Sequence, residues 1–245
     1  MTPTNVGMRC PECAKQRTKV VRLREMTTVP RVTYALIAVN VLAYLAEKEQ
    51  FTISGAASGT LVNEGFLGRE AIHFGHQYWR LVTNAFLHED ILHIGFNMYL
   101  LYLLGMMLEP TIGSVRFATV YFTSLLAGSF GVIFWSNGGS IGASGAIFGL
   151  MGYAAVELRA RGHRVMETSI GTLIVFNLVL SFILPDISIG GHIGGLVGGA
   201  LAGLALKAAD RRGQKALGYA ACALLSVAAV AGSLALAGVA GTGLA

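Results

Sequence analysis

Seven stretches of the chain are dominated by apolar residues over helical lengths: 29–46, 91–108, 115–135, 144–158, 168–184, 191–206 and 217–239. A helix needs about 20 such residues to cross a hydrocarbon layer of about 30 Å, so these stretches predict membrane helices that use up most of the chain. The polar interruptions between them are short except for 47–90. That segment carries clustered aromatic and polar residues in Phe74-Gly75-His76-Gln77-Tyr78-Trp79-Arg80. A membrane barrel would require ten-residue strands with alternating polarity, and no segment alternates in this way.

Composition agrees with the pattern. Mean hydropathy is +0.62, 54% of residues are hydrophobic and 13% are charged, against about 25% charged in an ordinary soluble domain. The expected fold class is all-α, a polytopic membrane helix bundle in a lipid bilayer.

The net charge of +5 is a matter of topology. With a cytoplasmic N-terminus, the inside segments hold Arg9, Lys15, Arg17, Lys19, Arg22, Arg24, Arg31, Arg116, Arg159, Arg161, Arg164, Lys207, Arg211, Arg212 and Lys215. Only Lys48, Arg69 and Arg80 fall outside, all in the long loop. The positive-inside rule therefore orients the chain and supports an odd number of spans. No basic stripe with interleaved stacking aromatics is present, so nucleic acid is not an expected partner.

Residues 1–28 are polar and basic without an apolar core, unlike a cleavable signal peptide. Cys10-Pro11-Glu12-Cys13 has the spacing of half a zinc site, but a structural zinc needs four ligands and the segment supplies two. No metal or other cofactor is expected. Cys222, in the last helix, reads as a small apolar filler.

Helix length locates the chemistry. The run 144–158 is fifteen residues, about 22 Å, and is anchored by Arg159. It stops short of the outer surface, which places Ser144 below that surface near the polar loop 136–140. The run after His192, anchored by Lys207, reads as equally short, so both residues are expected at one depth. Gly142, Gly145, Gly149 and Gly152 recur along one helix face, and Gly191, Gly195, Gly199 and Gly203 along another. Small residues so spaced let helices approach closely in lipid, which brings Ser144 and His192 together. A serine among glycines also serves as a packing residue, whereas an intramembrane histidine usually lines a site. His93 and Asn97 lie four residues apart on one face of the second helix. They are donors for an oxyanion, although on spacing alone an interhelical hydrogen bond that holds the bundle together is the commoner use of such a pair.

Trp79-Arg80, His93-x-x-x-Asn97, Gly105-x-x-x-Glu109-x-x-x-Gly113, Gly142-Ala143-Ser144-Gly145 and Gly191-His192 follow one another as in rhomboid intramembrane serine proteases, which the chain resembles over roughly 29–206. The resemblance implies Ser144 as nucleophile, His192 as general base, and His93 with Asn97 as oxyanion-hole donors. It also implies structural roles for Trp79, Arg80 and Glu109. The last helix resembles the seventh span that some rhomboids add to a six-helix core. The implied division is a cytoplasmic segment 1–28, a catalytic core 29–206, and a basic loop with a seventh helix at 207–245. Phe148 stands where many relatives have a tyrosine stacked on the histidine, so a ring is kept and a hydroxyl lost. Cys10-Pro11-Glu12-Cys13 resembles the tail of a cysteine-rich module carried by some rhomboids.

The expected function is intramembrane proteolysis in the cell membrane, with the site open to the outer side and transmembrane segments of other proteins as substrates. The aspartates Asp90, Asp186 and Asp210 offer no evident third member, so a Ser144–His192 dyad is the expected form. Two other classes remain. An inactive rhomboid-like binding module normally lacks the serine or the histidine. A small transporter usually carries an inverted repeat and intramembrane carboxylates, and neither is visible.

Overall fold

All seven apolar stretches are helical. The computed structural model describes residues 2–4, 7–9, 29–46, 60–135, 139–183 and 187–240; Cys10, Cys13, Asp186 and the loop residues 136–138 lie outside these. In the polar N-terminal segment, β1 (Thr2–Thr4) pairs antiparallel with β2 (Gly7–Arg9), Thr2 opposite Arg9. Helix α1 (Arg31–Ala46) follows. The long loop contains α2 (Thr60–Gly65), α3 (Arg69–His73), α4 (Arg80–Thr83) and a 3-10 turn, Asn84–Phe86. Then come α5 (Ile91–Ile112), α6 (Ser114–Trp135), α7 (Ser144–Ala160), α8 (Ser169–Ile183), α9 (Ile189–Arg211) and α10 (Lys215–Ala240). The chain is an all-α membrane bundle.

By length and composition α5, α6, α9 and α10 are long enough to cross a membrane, while α1 and α8 are shorter apolar helices. The short helix expected at Ser144 is present, with 17 residues. The equally short helix expected at His192 is not: α9 has 23 residues, about 35 Å. Ser188 starts it early, its Oγ accepting from Gly191 N at 3.1 Å, the bond of an N-cap. Its last turns stay helical past Lys207 because two ion pairs hold the polar end. Lys207 Nζ lies 3.0 Å from Glu157 of α7, and Arg116 of α6 makes a two-pronged contact with Asp210 at 2.7 and 2.8 Å. These pairs sit at the end of the bundle opposite Ser144. Gly213, at φ +68°, turns the chain out of α9.

The buried centre is formed by α6, α7 and α9. Along α7, every residue from Ala146 to Ala154 is buried. α10 packs on α6 and α9 and touches α3 of the long loop, leaving most of its outer face apolar and exposed, as a lipid-facing helix requires. α8 is attached most lightly, with only Ile170, Gly171 and Ser181 buried.

Two polar devices tie the periphery to this centre. Glu109, fully buried at the end of α5, accepts from Val32 N at 2.9 Å, Thr33 N at 2.8 Å and Thr33 Oγ1 at 2.7 Å. A carboxylate from one helix thus caps the N-terminus of another, where unsatisfied N–H groups and the helix dipole favour negative charge. Arg80 donates to the carbonyls of Asn63 (2.8 Å) and Phe66 (2.7 Å), which holds the end of α2. Both residues occupy structural positions.

Replacing Glu109 by Ala is expected to lower stability by about 3 kcal/mol, because several buried donors lose their acceptor together. Glu109→Gln, which keeps one acceptor oxygen, should fall between. Thermal unfolding in detergent measures both, and an unchanged midpoint in Glu109→Ala would remove the cap from the account of α1.

Candidate active site

Ser144 is the first residue of α7, and its place is set by the segment before it. Leu67 and Ser140 exchange backbone hydrogen bonds at 3.1 and 2.9 Å, and Gly142 N donates to Asn84 O at 2.8 Å. The loop between α1 and α5 therefore grips the strand-like approach to Ser144. Gly142 turns at φ +117°, a conformation that favours glycine, and a methyl there would also stand 2.6 Å from His93 Nε2. Gly142 accordingly faces His93 and does not belong to the face that packs on α9, where the spacing alone had put it.

The other glycines make the expected seam. A Cβ on Gly195 would overlap the Gly145 carbonyl, one on Gly199 the Gly149 carbonyl, and one on Gly152 the Leu196 carbonyl. Gly131 of α6 meets Gly190 of α9 in the same manner. Gly203 lies further along, against Tyr153 and Val156. Backbone therefore meets backbone on two sides of α9, close enough for short side chains at its start to reach α7.

His192, in the first turn of α9, makes that reach. Its Nε2 lies 2.8 Å from Ser144 Oγ. Its Nδ1 lies 2.6 Å from Ser181 Oγ of α8. Phe148, one turn after Ser144, stacks on the imidazole with ring centroids 4.1 Å apart and planes at 19°, so the ring surface expected of this position is present. Two nitrogens and one face of His192 are held at once.

His93 and Asn97 are near but differently engaged. Asp90 caps α5 by accepting from His93 N at 2.8 Å. The His93 ring packs on Gly142, two residues before Ser144. Asn97 Nδ2 donates to His93 O at 2.9 Å, a bond within its own helix. Neither side chain lines the small cavity beside Ser144. That cavity, about 20 Å³ and room for one water, is walled by Ser144, His192, Asn84, Ser129, Ser140 and Ser188 among others. Asn84 donates to Arg80 O at 2.6 Å and to Ser129 Oγ at 3.2 Å, while Ser129 Oγ donates to Leu81 O at 2.7 Å. The wall is thereby tied to α4.

Several of these residues escape sequence reasoning. Ser181 was legible in principle, as one of the few polar residues in a mostly apolar helix. Asn84 and Ser129 carry no spacing signal. His88 is fully buried against His93, ring centroids 4.9 Å apart, and neither ring nitrogen has a hydrogen-bond partner among the described residues. Burial, and secondarily the charge of His93, push the His88 pKa well below the ordinary histidine value, which holds it neutral.

Asp90 and Asp210 are committed to the cap and the ion pair described above, away from His192. Among the described residues no three His, Cys, Asp or Glu side chains gather as a metal-binding group, and Cys222 is a buried thiol.

The Rhomboid domain family profile matches residues 75–209. The chain is 35% identical over 181 residues to Rhomboid protease GluP of Bacillus subtilis (strain 168), covering 72% of this chain and 35% of that protein. It is 34% identical over 126 residues to Inactive RHOMBOID-like protein 8 of Arabidopsis thaliana, covering 51% of this chain and 36% of that one. With Rhomboid-like protease 1 of Toxoplasma gondii it shares 32% identity over 129 residues, 46% of this chain and 44% of that one. The chain thus spans about a third of the length of the first two and under half of the third.

Proposed function

The chain belongs to the rhomboid family, and on that premise we propose that it is an intramembrane serine endopeptidase with Ser144 as nucleophile and His192 as general base. The observation that carries this reading is the 2.8 Å contact between Ser144 Oγ and His192 Nε2. A serine hydroxyl is a weak nucleophile until an adjacent base takes its proton. His192 accepts that proton as Ser144 attacks a peptide carbonyl, then gives it to the leaving amine, and water hydrolyses the acyl-enzyme by the same route.

The oxyanion formed on attack needs donors aimed at it. The first N–H groups of α7 have no intrahelical acceptor and lie at Ser144 itself. His93 and Asn97 are the side-chain donors; Asn97 has two amide hydrogens, of which one is given to His93 O. The substrates are transmembrane segments of other proteins. Water reaches Ser144 from the outer side, by way of the polar loop that ends at Ser140. The catalytic core is 29–206, and 207–245 adds the seventh helix. The protein resides in the cell membrane with residues 1–28 in the cytoplasm and Ser144 toward the outer side.

Ser144→Ala and His192→Ala are each expected to abolish cleavage of a reporter transmembrane substrate by purified protein in detergent. Persistent cleavage in Ser144→Ala would end the reading of the chain as a serine protease acting through Ser144.

Asn97→Ala should lower turnover by at most about 10²–10³-fold while labelling of Ser144 by an activity probe is largely retained. Full turnover with a lowered unfolding temperature would make Asn97 a packing residue only.

For orientation, single cysteines at Thr4 and Ala245, in a background without the three native cysteines, should be labelled by impermeant reagent from opposite sides. Labelling of both from one side would overturn an odd number of spans.

A further inference from the structure

We propose that Ser181 is a positioning residue that fixes the tautomer of His192, so that the base presents a lone pair and not a proton to Ser144. This rests on the reading of Ser144 and His192 as nucleophile and base. Ser181 sits near the end of α8, is buried, and places its Oγ 2.6 Å from His192 Nδ1 and 2.7 Å from the backbone carbonyl of Asn177 one turn earlier.

The hydroxyl has one hydrogen and two acceptor lone pairs, and a carbonyl oxygen can only accept. Two oxygens 2.7 Å apart with no hydrogen between them repel, and the more so in an apolar surrounding. The Ser181 hydrogen therefore lies on the line to Asn177 O. Its lone pair faces Nδ1, which must then carry the hydrogen. A neutral imidazole protonated at Nδ1 is unprotonated at Nε2. Nε2 thus accepts from Ser144 Oγ–H across the 2.8 Å contact, the state from which a base can act.

The opposite tautomer would have Nε2–H donating to Ser144 Oγ, with no lone pair left to take its proton. Asn177 O, fixed by the helix, thereby sets the protonation pattern of His192 through one intervening hydroxyl. During attack the Ser144 O–H bond breaks and its electron pair becomes the new C–O bond. The proton moves to Nε2, and Nδ1 keeps its own, still donated to Ser181 Oγ. No proton passes to Ser181.

Its role differs from that of an anchor for α8, and the two separate experimentally. Ser181→Thr keeps the hydroxyl, which a helical threonine can direct to the i−4 carbonyl; Ser181→Val has nearly the same shape without it. In cleavage of a reporter transmembrane substrate by the full-length protein in detergent, Ser181→Val should lose about tenfold in kcat with KM unchanged. That is the scale of one neutral hydrogen bond and below the effect of losing a triad carboxylate. Ser181→Thr should stay within about threefold of the parent.

The direct reading is the ¹⁵N spectrum of ring-labelled histidine in the resting protein, with His192 assigned by its loss in His192→Gln. Nδ1 should be protonated and Nε2 unprotonated, and this pattern should be lost in Ser181→Val. A resting protein protonated at Nε2 overturns the proposal, as does a Ser181→Val variant with the parent's kcat and ring pattern. If Ser181→Val fails to fold, the spectrum of the parent still decides. Undiminished cleavage by Ser144→Ala would instead remove the protease reading, and the ¹⁵N pattern would report on the Ser181 contact regardless.

Discussion

The site depends on how closely the backbones of α7 and α9 approach. Ser144 and His192 have short side chains and stand on different helices, so a hydrogen bond of 2.8 Å between them requires the helices to touch at main-chain distance. The glycines at 145, 149 and 152 against 195 and 199 permit this, since a Cβ on Gly152, Gly195 or Gly199 would overlap a carbonyl and one on Gly145 would stand 3.2 Å from the Gly191 carbonyl. In lipid, apolar surface gains nothing by leaving solvent that is itself apolar, and packing at short range drives helices together. The same seam that joins the two helices therefore also sets the distance on which the proposed proton transfer depends. Gly131 and Gly190 repeat the arrangement against α6, so α9 is clamped from two sides while its first turn carries His192.

A second constraint governs the polar groups. Inside a bilayer every N–H and C=O must be satisfied within the protein, and the loop between α1 and α5 meets this by spending its polar side chains on backbone. Arg80 holds the end of α2, Asn84 bridges α4 to Ser129 of α6, and Asn84 O receives Gly142 N. The chain of contacts ends at the residue before Ala143 and Ser144. A loop rich in aromatic and polar residues thus acts as the frame of Ser144, and Glu109 performs the matching task for α1 at the other end of α5.

The sequence made the helices and the approach of Ser144 to His192 legible, because apolar length, basic flanks and glycine spacing each report a strong physical demand of the bilayer. It misjudged α9. Lys207 reads as an anchor at the edge of the apolar layer, yet its pairing with Glu157, and that of Asp210 with Arg116, let the helix run on to Arg211. Such pairs join residues 50 and 94 positions apart, a separation that no local pattern records. Gly142 shares the glycine spacing but answers a different demand, a left-handed turn beside a histidine ring. Asn97 shows the reverse limit: its residue type suits an oxyanion donor and its place on the helix face is as expected, while the actual bond of its amide to His93 O is a matter of rotamer.

The third member of a Ser-His triad is ordinarily a carboxylate, which hides Ser181 from a search by residue type, and the surroundings of His192 explain why a hydroxyl suits the position. An aspartate there would put a second acceptor against Asn177 O, 2.7 Å from where the Ser181 oxygen lies, in a segment where an ionised group is costly unless paired. A hydroxyl both gives to that carbonyl and takes from Nδ1–H, so it orients the imidazole without a buried charge. The exchange has a chemical consequence. In the proposed reaction a neutral acceptor stabilises the imidazolium formed during attack less than a carboxylate would, which shifts more of the task of lowering the barrier onto the donors around the oxyanion and onto the short Ser144–His192 distance. The tight glycine seam and the hydroxyl behind His192 are in this sense two halves of one solution to placing the proposed acyl-transfer chemistry in an apolar medium.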